Sequence, residues 1–239
     1  VNVMRQTISM SGGNPIYAKG TGSSTQLTAT VNGTVGNDAV AWTSGNTNIA
    51  KVSGGKVTGV GAGTVTITAT SNGVSTSKSI QVKEPTIKLD RETANIYPPA
   101  TKTVTFTVTV NGVQGNSGVT WRSGNTKVAT VSNGKVTAVG KGTATITAKA
   151  NGKLAKAKVT VKDPYANVSP TSGTIKVGKT LQLTTNYAPA STGTPSYSSS
   201  NKKVATVDSK GVVKGVKAGT ATITVKVNGV TAKAEITVK

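Results

Sequence analysis

Val60-Gly61-Ala62-Gly63-Thr64-Val65-Thr66-Ile67-Thr68 occurs three times in this chain with small changes. The second copy reads Val139-Gly140-Lys141-Gly142-Thr143-Ala144-Thr145-Ile146-Thr147. The third reads Val216-Lys217-Ala218-Gly219-Thr220-Ala221-Thr222-Ile223-Thr224. The copies start 79 and then 77 residues apart. That period exceeds the roughly 20 to 50 residues of a solenoid unit and suits a small domain that buries its own core. The chain therefore reads as three domains in tandem, residues 1–83, 84–162 and 163–239.

Working outward, the stretch after each glycine-threonine pair alternates. Val65, Ile67 and Ala69 share one face, as do Ala144, Ile146 and Ala148, and then Ala221, Ile223 and Val225. Period-two alternation marks a half-buried strand with threonines toward water, which places Ile67, Ile146 and Ile223 in the core. Asn72-Gly73, Asn151-Gly152 and Asn228-Gly229 follow. Both residues of an Asn-Gly pair accept positive φ, so each pair predicts a type I′ hairpin. The returning strands close at Ile80 and Val82, Val159 and Val161, and Ile236 and Val238.

Upstream, Trp42, Trp121 and Tyr197 hold equivalent places, where a sandwich puts its core aromatic. Tight turns are predicted at Gly54-Gly55, Asn133-Gly134 and Lys210-Gly211. Asn32-Gly33 recurs as Asn111-Gly112, but the third repeat substitutes Asn186-Tyr187-Ala188-Pro189, so one loop there should differ. About seven short strands per repeat, without a sustained helical period, predict an all-β chain of two-sheet sandwiches. Lys83-Glu84-Pro85 and Lys162-Asp163-Pro164 align as short, stiff linkers. Laid end to end, the domains would form an elongated rod on the order of 100 Å.

These residues also carry a resemblance. Trp121-Arg122-Ser123-Gly124-Asn125, followed by residues 128–148, closely resembles the bacterial immunoglobulin-like domain, group 2. The first and third repeats resemble the same family with more drift, Tyr197 standing where the family has Trp. The resemblance implies immunoglobulin-like sandwiches and brings no catalytic residues. Members occur in intimin- and invasin-like stalks, as modules of S-layer-associated proteins and secreted enzymes, and in phage tail and capsid proteins.

Composition narrows the chemistry. Aromatic residues make up 3% of the chain, which implies thin cores. Cys and His are both absent, removing disulfides, thiol nucleophiles, imidazole bases and ordinary zinc sites. No apolar run approaches the roughly 18 residues of a membrane helix, and no secretory apolar region is visible. The opening at Val1 reads as a segment of something longer.

The seven acidic residues form no repeated pair. Asp90 and Glu92 flank Arg91 and read as a solvated strand edge with a local ion pair. Glu84 and Asp163 sit in the linkers, and one acid per joint is too few for calcium, which takes six to eight oxygens. Asp208 reads as a cap on its own turn. Gly140-Lys141-Gly142-Thr143 lacks the phosphate-loop spacing and leads into a strand where such a loop would open a helix. An isopeptide crosslink would need a buried acid, and no acid repeats at a core position. No catalysis, cofactor or metal is expected.

What remains is charge. The 28 basic and 7 acidic residues give +21, spread over the repeats as +5, +9 and +7. Such a surface favours polyanions, and it equally serves solubility and self-repulsion along a rod. Lys149, Lys153, Lys156, Lys158 and Lys162 of the second repeat, with Lys202 and Lys203 of the third, are the expected contacts. The stripe formed by Lys156, Lys158 and Lys162 is not repeated, which favours diffuse attraction over a shaped pocket. Sparse aromatics argue against specific nucleic-acid recognition. Tyr17, Tyr97, Tyr165 and Tyr187, irregularly placed near loops or linkers, are candidates for exposed contacts.

The functional expectation is a non-catalytic spacer and adhesive module of a bacterial surface or secreted protein. Its partner would be an anionic cell-wall polymer or surface glycan, alongside other copies or domains of a larger assembly. The alternatives are a phage virion appendage or the accessory domains of an exported carbohydrate-active enzyme.

Overall fold

The computed structural model describes residues 6–32, 34–35, 39–190 and 192–239. Every regular element among them is a β-strand, and the family of folds is immunoglobulin-like, in three tandem domains. Of the predicted Asn32-Gly33 hairpin, Gly33 lies outside the described residues. Two compact units contain the described chain.

The first unit holds the first repeat together with residues 106–121 and 147–156 of the second. One sheet of the first repeat runs in the order Ile16–Tyr17, Val74–Lys83, Gly63–Ser71, Ala41–Ser44. The other runs Ile8–Gly12, Ser24–Val31, Lys56–Gly59, Ala50–Ser53. Their inner faces meet in one core, where Leu27 and Val57 from the second sheet pack with Val65, Ile67, Ile80 and Val82 from the first. In the same unit, Ile87–Leu89 pairs antiparallel with Val108–Val110, which pairs in turn with Val113–Gln114.

The second unit contains the third repeat, built the same way. Its main sheet runs Ser172–Ile175, Val230–Val238, Gly219–Val227, Ser196–Ser199. Thr180–Gln182, Val212–Gly215 and Ala205–Val207 form a second sheet, and Tyr165–Ser169 pairs with Thr184–Ala188. Val213, Ile223, Ile236 and Leu183 join in its core. From the second repeat this unit takes Thr103–Thr105, Lys135–Ala138 and Ala129–Ser132, paired in that order.

Alternation decides which side chains are buried. Ile67, Ile146 and Ile223 have no exposed surface, while the threonines between them are exposed or half-buried. The turns follow their chemistry as well. Asn72, Asn151 and Asn228 have φ of 46°, 51° and 53°, and the glycines after them 80°, 79° and 79°, the left-handed pair that a type I′ turn requires. The glycine that opens each central strand has another cause. Gly63, Gly142 and Gly219 have φ of 148°, 138° and 145°. A Cβ there would stand 2.9 to 3.0 Å from Ile49, Val128 or Val204. Backbone angle and space both select glycine at that position.

One feature of the strands departs from the sequence reading. Among the described residues the first and third repeats have nine short strands each and the second has ten, where about seven were expected. The opening strand divides, and its second half crosses to the other sheet to run parallel to the last strand. Ile16 pairs with Val82, Ile96 with Val161 and Ile175 with Val238. Parallel pairing of residues so far apart in sequence leaves no turn signature between them.

Trp42, Trp121 and Tyr197 are half-buried, and Trp42 and Tyr197 pack against the cores of their repeats. The indole Nε1 atoms of Trp42 and Trp121 are buried and meet no hydrogen-bond partner among the described residues. In the third repeat the Tyr197 hydroxyl lies 2.9 Å from Thr185 Oγ1. At the position of Thr185 the other repeats carry Ala29 and Val108. The exchange of Trp for Tyr is thus matched by a neighbouring hydroxyl. Thr185→Val removes that partner and should cost the third repeat about 1–3 kcal/mol. Tyr197→Phe in the same background should recover part of the loss, and a urea titration followed by circular dichroism reads both.

Candidate functional site

The seven lysines expected to meet a polyanion are all exposed. Within the first unit, Lys149, Lys153 and Lys156 flank the Asn151-Gly152 turn. Lys153 Nζ lies 2.8 Å from Glu84 Oε2, so one of these charges is engaged by the acid of the linker. Both side chains are largely exposed, and such a pair contributes about 0–1 kcal/mol. Within the second unit, Lys158 and Lys162 lie along the end of the last strand, with Ala157, Val159 and Val161 facing the core between and beside them. Lys202 and Lys203 sit in the turn closed by Asn201, whose Oδ1 accepts the Lys203 amide at 3.1 Å.

Three other acids have structural partners. Asp90 Oδ1 accepts the Thr107 amide at 3.0 Å, which makes it a loop cap. Asp208 Oδ1 accepts the amides of Lys210 and Val212, closing its own turn. Asp163 pairs with Lys141 on the surface. Among the described residues no cluster of three Asp or Glu side chains is placed to hold a metal ion.

In the first unit, Asn111 closes a joint between repeats. It is 6% exposed, with φ 51°. Its Oδ1 accepts the Thr86 amide at 2.9 Å, and its Nδ2 donates to the carbonyls of Lys19 and Thr21 at 2.8 and 3.0 Å. An asparagine in the left-handed turn therefore satisfies its own repeat and the preceding one with one side chain. Where the third repeat replaces the Asn-Gly hairpin, its loop takes another form. Asn228 Nδ2 donates to the Pro189 carbonyl at 2.7 Å, and the Tyr187 hydroxyl donates to the Gly193 carbonyl at 3.0 Å.

That loop forms one wall of an open cleft of about 550 Å³, lined by Tyr187, Ala188, Pro189 and Ala190. The opposite wall is Asn95, Tyr97, Thr101, Thr103 and Val104 of the second repeat. Beside it, a depression of about 380 Å³ is lined by Pro98, Lys102, Lys141, Lys162 and Asp163, among others. The segment 97–103 contributes to both. Tyr97 and Tyr187, far apart in sequence, thus share a site. Tyr165 is 44% exposed, whereas Tyr17, Tyr97 and Tyr187 are half-buried. Lys102 and Lys141 were outside the expected lysine set, because only the strand pairing that brings 102 beside 138 places them with Lys162.

No helix among the described residues is long and apolar enough to cross a membrane. A family model described as bacterial Ig-like domain (group 2) matches residues 6–82, 86–161 and 165–238. A Bifidobacterium longum 3-O-alpha-D-galactosyl-alpha-L-arabinofuranosidase is 56% identical over 52 residues, which is 21% of this chain and 5% of that protein. An uncharacterized Clostridium acetobutylicum protein is 34% identical over 150 residues, 59% of this chain and 15% of that one. The chain thus corresponds to a small part of either relative. Domains 4–9 of the surface layer protein SbsC superpose with a TM-score of 0.39 at 21% identity, covering 98% of this chain and 47% of theirs.

Proposed function

The chain belongs to the bacterial Ig-like domain (group 2) family, in three tandem copies, and from that premise we propose that it is a non-catalytic, extracellular spacer and adhesive module. It would belong to a bacterial surface or secreted protein and attract anionic wall polymers or glycans by charge. The observation that carries this reading is the sign and spread of the charge. Each repeat is basic, and the second has twelve basic residues against three acidic ones. A field of one sign over every repeat concentrates polyanions near the surface and falls away with salt. Its effect needs no shaped pocket, in keeping with lysines that lie on strands and turns alike.

A second reading has its own support. The 52-residue similarity to the Bifidobacterium arabinofuranosidase favours these repeats as accessory domains of an exported carbohydrate-active enzyme. In that role they would hold the enzyme near its polymer, and the chemistry would reside in another domain.

Immunogold electron microscopy of the producing culture, with antibody raised against this chain, tests the location. Label along cell walls, with the purified chain binding isolated wall polymer, is the expected result. Label in the medium on an enzyme-bearing polypeptide selects the accessory role. Label confined to phage particles overturns both and makes the chain a virion appendage.

A further inference from the structure

We propose that the cleft between Tyr97 and Tyr187, with the lysines beside it, is a binding site for an acidic glycan. The sugar rings would lie on the tyrosines and the carboxylates on Lys102, Lys141 and Lys162. This deepens the electrostatic reading above and rests on it, since the charge brings the polymer to the surface that the cleft would then grip.

Three observations converge on one segment. First, two aromatic side chains meet there. The chain has five tyrosines, and two of them, from different repeats, line a single cleft of about 550 Å³. That volume falls within the few hundred to about 1,000 Å³ of small-molecule sites, enough for a short run of sugar units. A tyrosine offers a flat apolar face with a polar rim at little entropic cost, which suits the mixed faces of a sugar ring. Asn95 and Thr103 supply polar groups at the cleft's edge.

Second, each wall carries hydrogen bonds of its own. On one side, the Tyr97 amide donates to Thr101 Oγ1 at 2.9 Å and the Thr101 amide to the Tyr97 carbonyl at 2.8 Å. On the other, the Tyr187 hydroxyl is tied to Gly193 and Pro189 to Asn228. Gly193 fits so closely that a Cβ there would lie 2.4 Å from Asn228 Oδ1. A site held in this way loses little freedom on binding. The same loop position in the second repeat is the Asn-Gly turn of Asn111, whose side chain is used up in hydrogen bonds to Thr86 and to the first repeat. The departure from Asn-Gly in the third repeat is what furnishes an aromatic wall.

Third, the charge beside the cleft is of the right sign. Lys102, Lys141 and Lys162 outnumber the single carboxylate, Asp163, which pairs with Lys141 on the surface. Lys102 lies between Thr101 and Thr103, which line the tyrosine cleft, so a strand crossing segment 97–103 meets rings on one side and ammonium groups on the other. A polymer with both rings and acids uses both halves. A neutral glycan uses only the tyrosines, and a polyphosphate only the lysines.

Isothermal titration calorimetry of the full chain at low salt tests this with four probes: polygalacturonate (rings and carboxylates), poly-glutamate (carboxylates alone), dextran (rings alone) and single-stranded DNA (bases and phosphates). Polygalacturonate should bind at least about tenfold more tightly than poly-glutamate, and dextran weakly at most. Tyr97→Ala and Tyr187→Ala should each weaken polygalacturonate about tenfold, the effect of losing one aromatic platform, and leave poly-glutamate within twofold. Lys102→Gln with Lys162→Gln should weaken polygalacturonate more than Lys202→Gln with Lys203→Gln, which removes the same charge elsewhere. Tyr187→Phe, which removes only the bond to Gly193, separates loss of the ring from loss of the loop, and thermal melting checks folding of each variant. Equal binding of polygalacturonate and poly-glutamate, insensitive to both tyrosines, would overturn the cleft while leaving the electrostatic function intact. No binding of either polyanion would overturn both. Preference for single-stranded DNA over polygalacturonate, lost with the same tyrosines, would assign the cleft to nucleic acid and overturn the glycan.

Discussion

Ile223→Ala is expected to destabilise the third repeat by about 2–5 kcal/mol, the cost of a fully buried isoleucine truncated in a packed core. Ile223 has no exposed surface and pairs across the hairpin with Ala234 and across the sheet with Ser199. Small neighbours such as Ala221 and Ala234 cannot lean in to fill the space it vacates. A repeat of this size has few kcal/mol to lose, because small domains bury a smaller share of their surface. The chain contains its own control. Both tryptophans, Trp42 and Trp121, lie in the first two repeats, and the third has Tyr197 in their place. In a urea titration the variant should lose part of its far-ultraviolet circular dichroism early, while tryptophan fluorescence keeps the wild-type midpoint. A tryptophan midpoint that moved with the dichroism would mean that the repeats unfold together. Superimposable dichroism curves for variant and wild type would contradict the burial of Ile223.

Raising sodium chloride from 50 to 500 mM should reduce the affinity of the chain for an anionic wall polymer by at least about 100-fold. Each lysine that neutralises an anionic group displaces a counterion, and at higher salt that release yields less free energy. The Debye length also shrinks from more than 10 Å to a few ångströms, so lysines along strands and turns cease to act together. With +21 over the chain and the excess present in every repeat, several contacts should form at once and the dependence should be steep. Affinity measured at four or five salt concentrations gives the slope of log K against log salt. A slope of several units fits many simultaneous ion contacts. A flat line would mean that charge does not drive binding, and the proposed electrostatic role would fall with it.

Local rules determined the strands and their turns from the sequence. Alternation placed Ile67, Ile146 and Ile223 inward, and Asn72-Gly73, Asn151-Gly152 and Asn228-Gly229 each set their own hairpin, because a two-residue turn and a period of two are short-range properties of the backbone. The repeated Gly63, Gly142 and Gly219 were visible as a motif. Their cause, a positive φ against Ile49, Val128 or Val204, belongs to a contact between strands. The exchange of Asn-Gly for Asn186-Tyr187-Ala188-Pro189 was legible as a different loop, but not as a wall.

Tertiary structure alone decided the rest. It brought Ile16 to Val82 and Ile175 to Val238 in parallel, pairings joined by no turn. It matched the Tyr197 hydroxyl with Thr185, and it spent the side chain of Asn111 on the carbonyls of Lys19 and Thr21. It also set Tyr97 opposite Tyr187 and gathered Lys102, Lys141 and Lys162 around one segment. The division has one physical reason. Periodicity and turn chemistry act between residues a few positions apart and leave their mark in the order of the chain. A site is made by residues whose only relation is that packing brought their side chains to the same place.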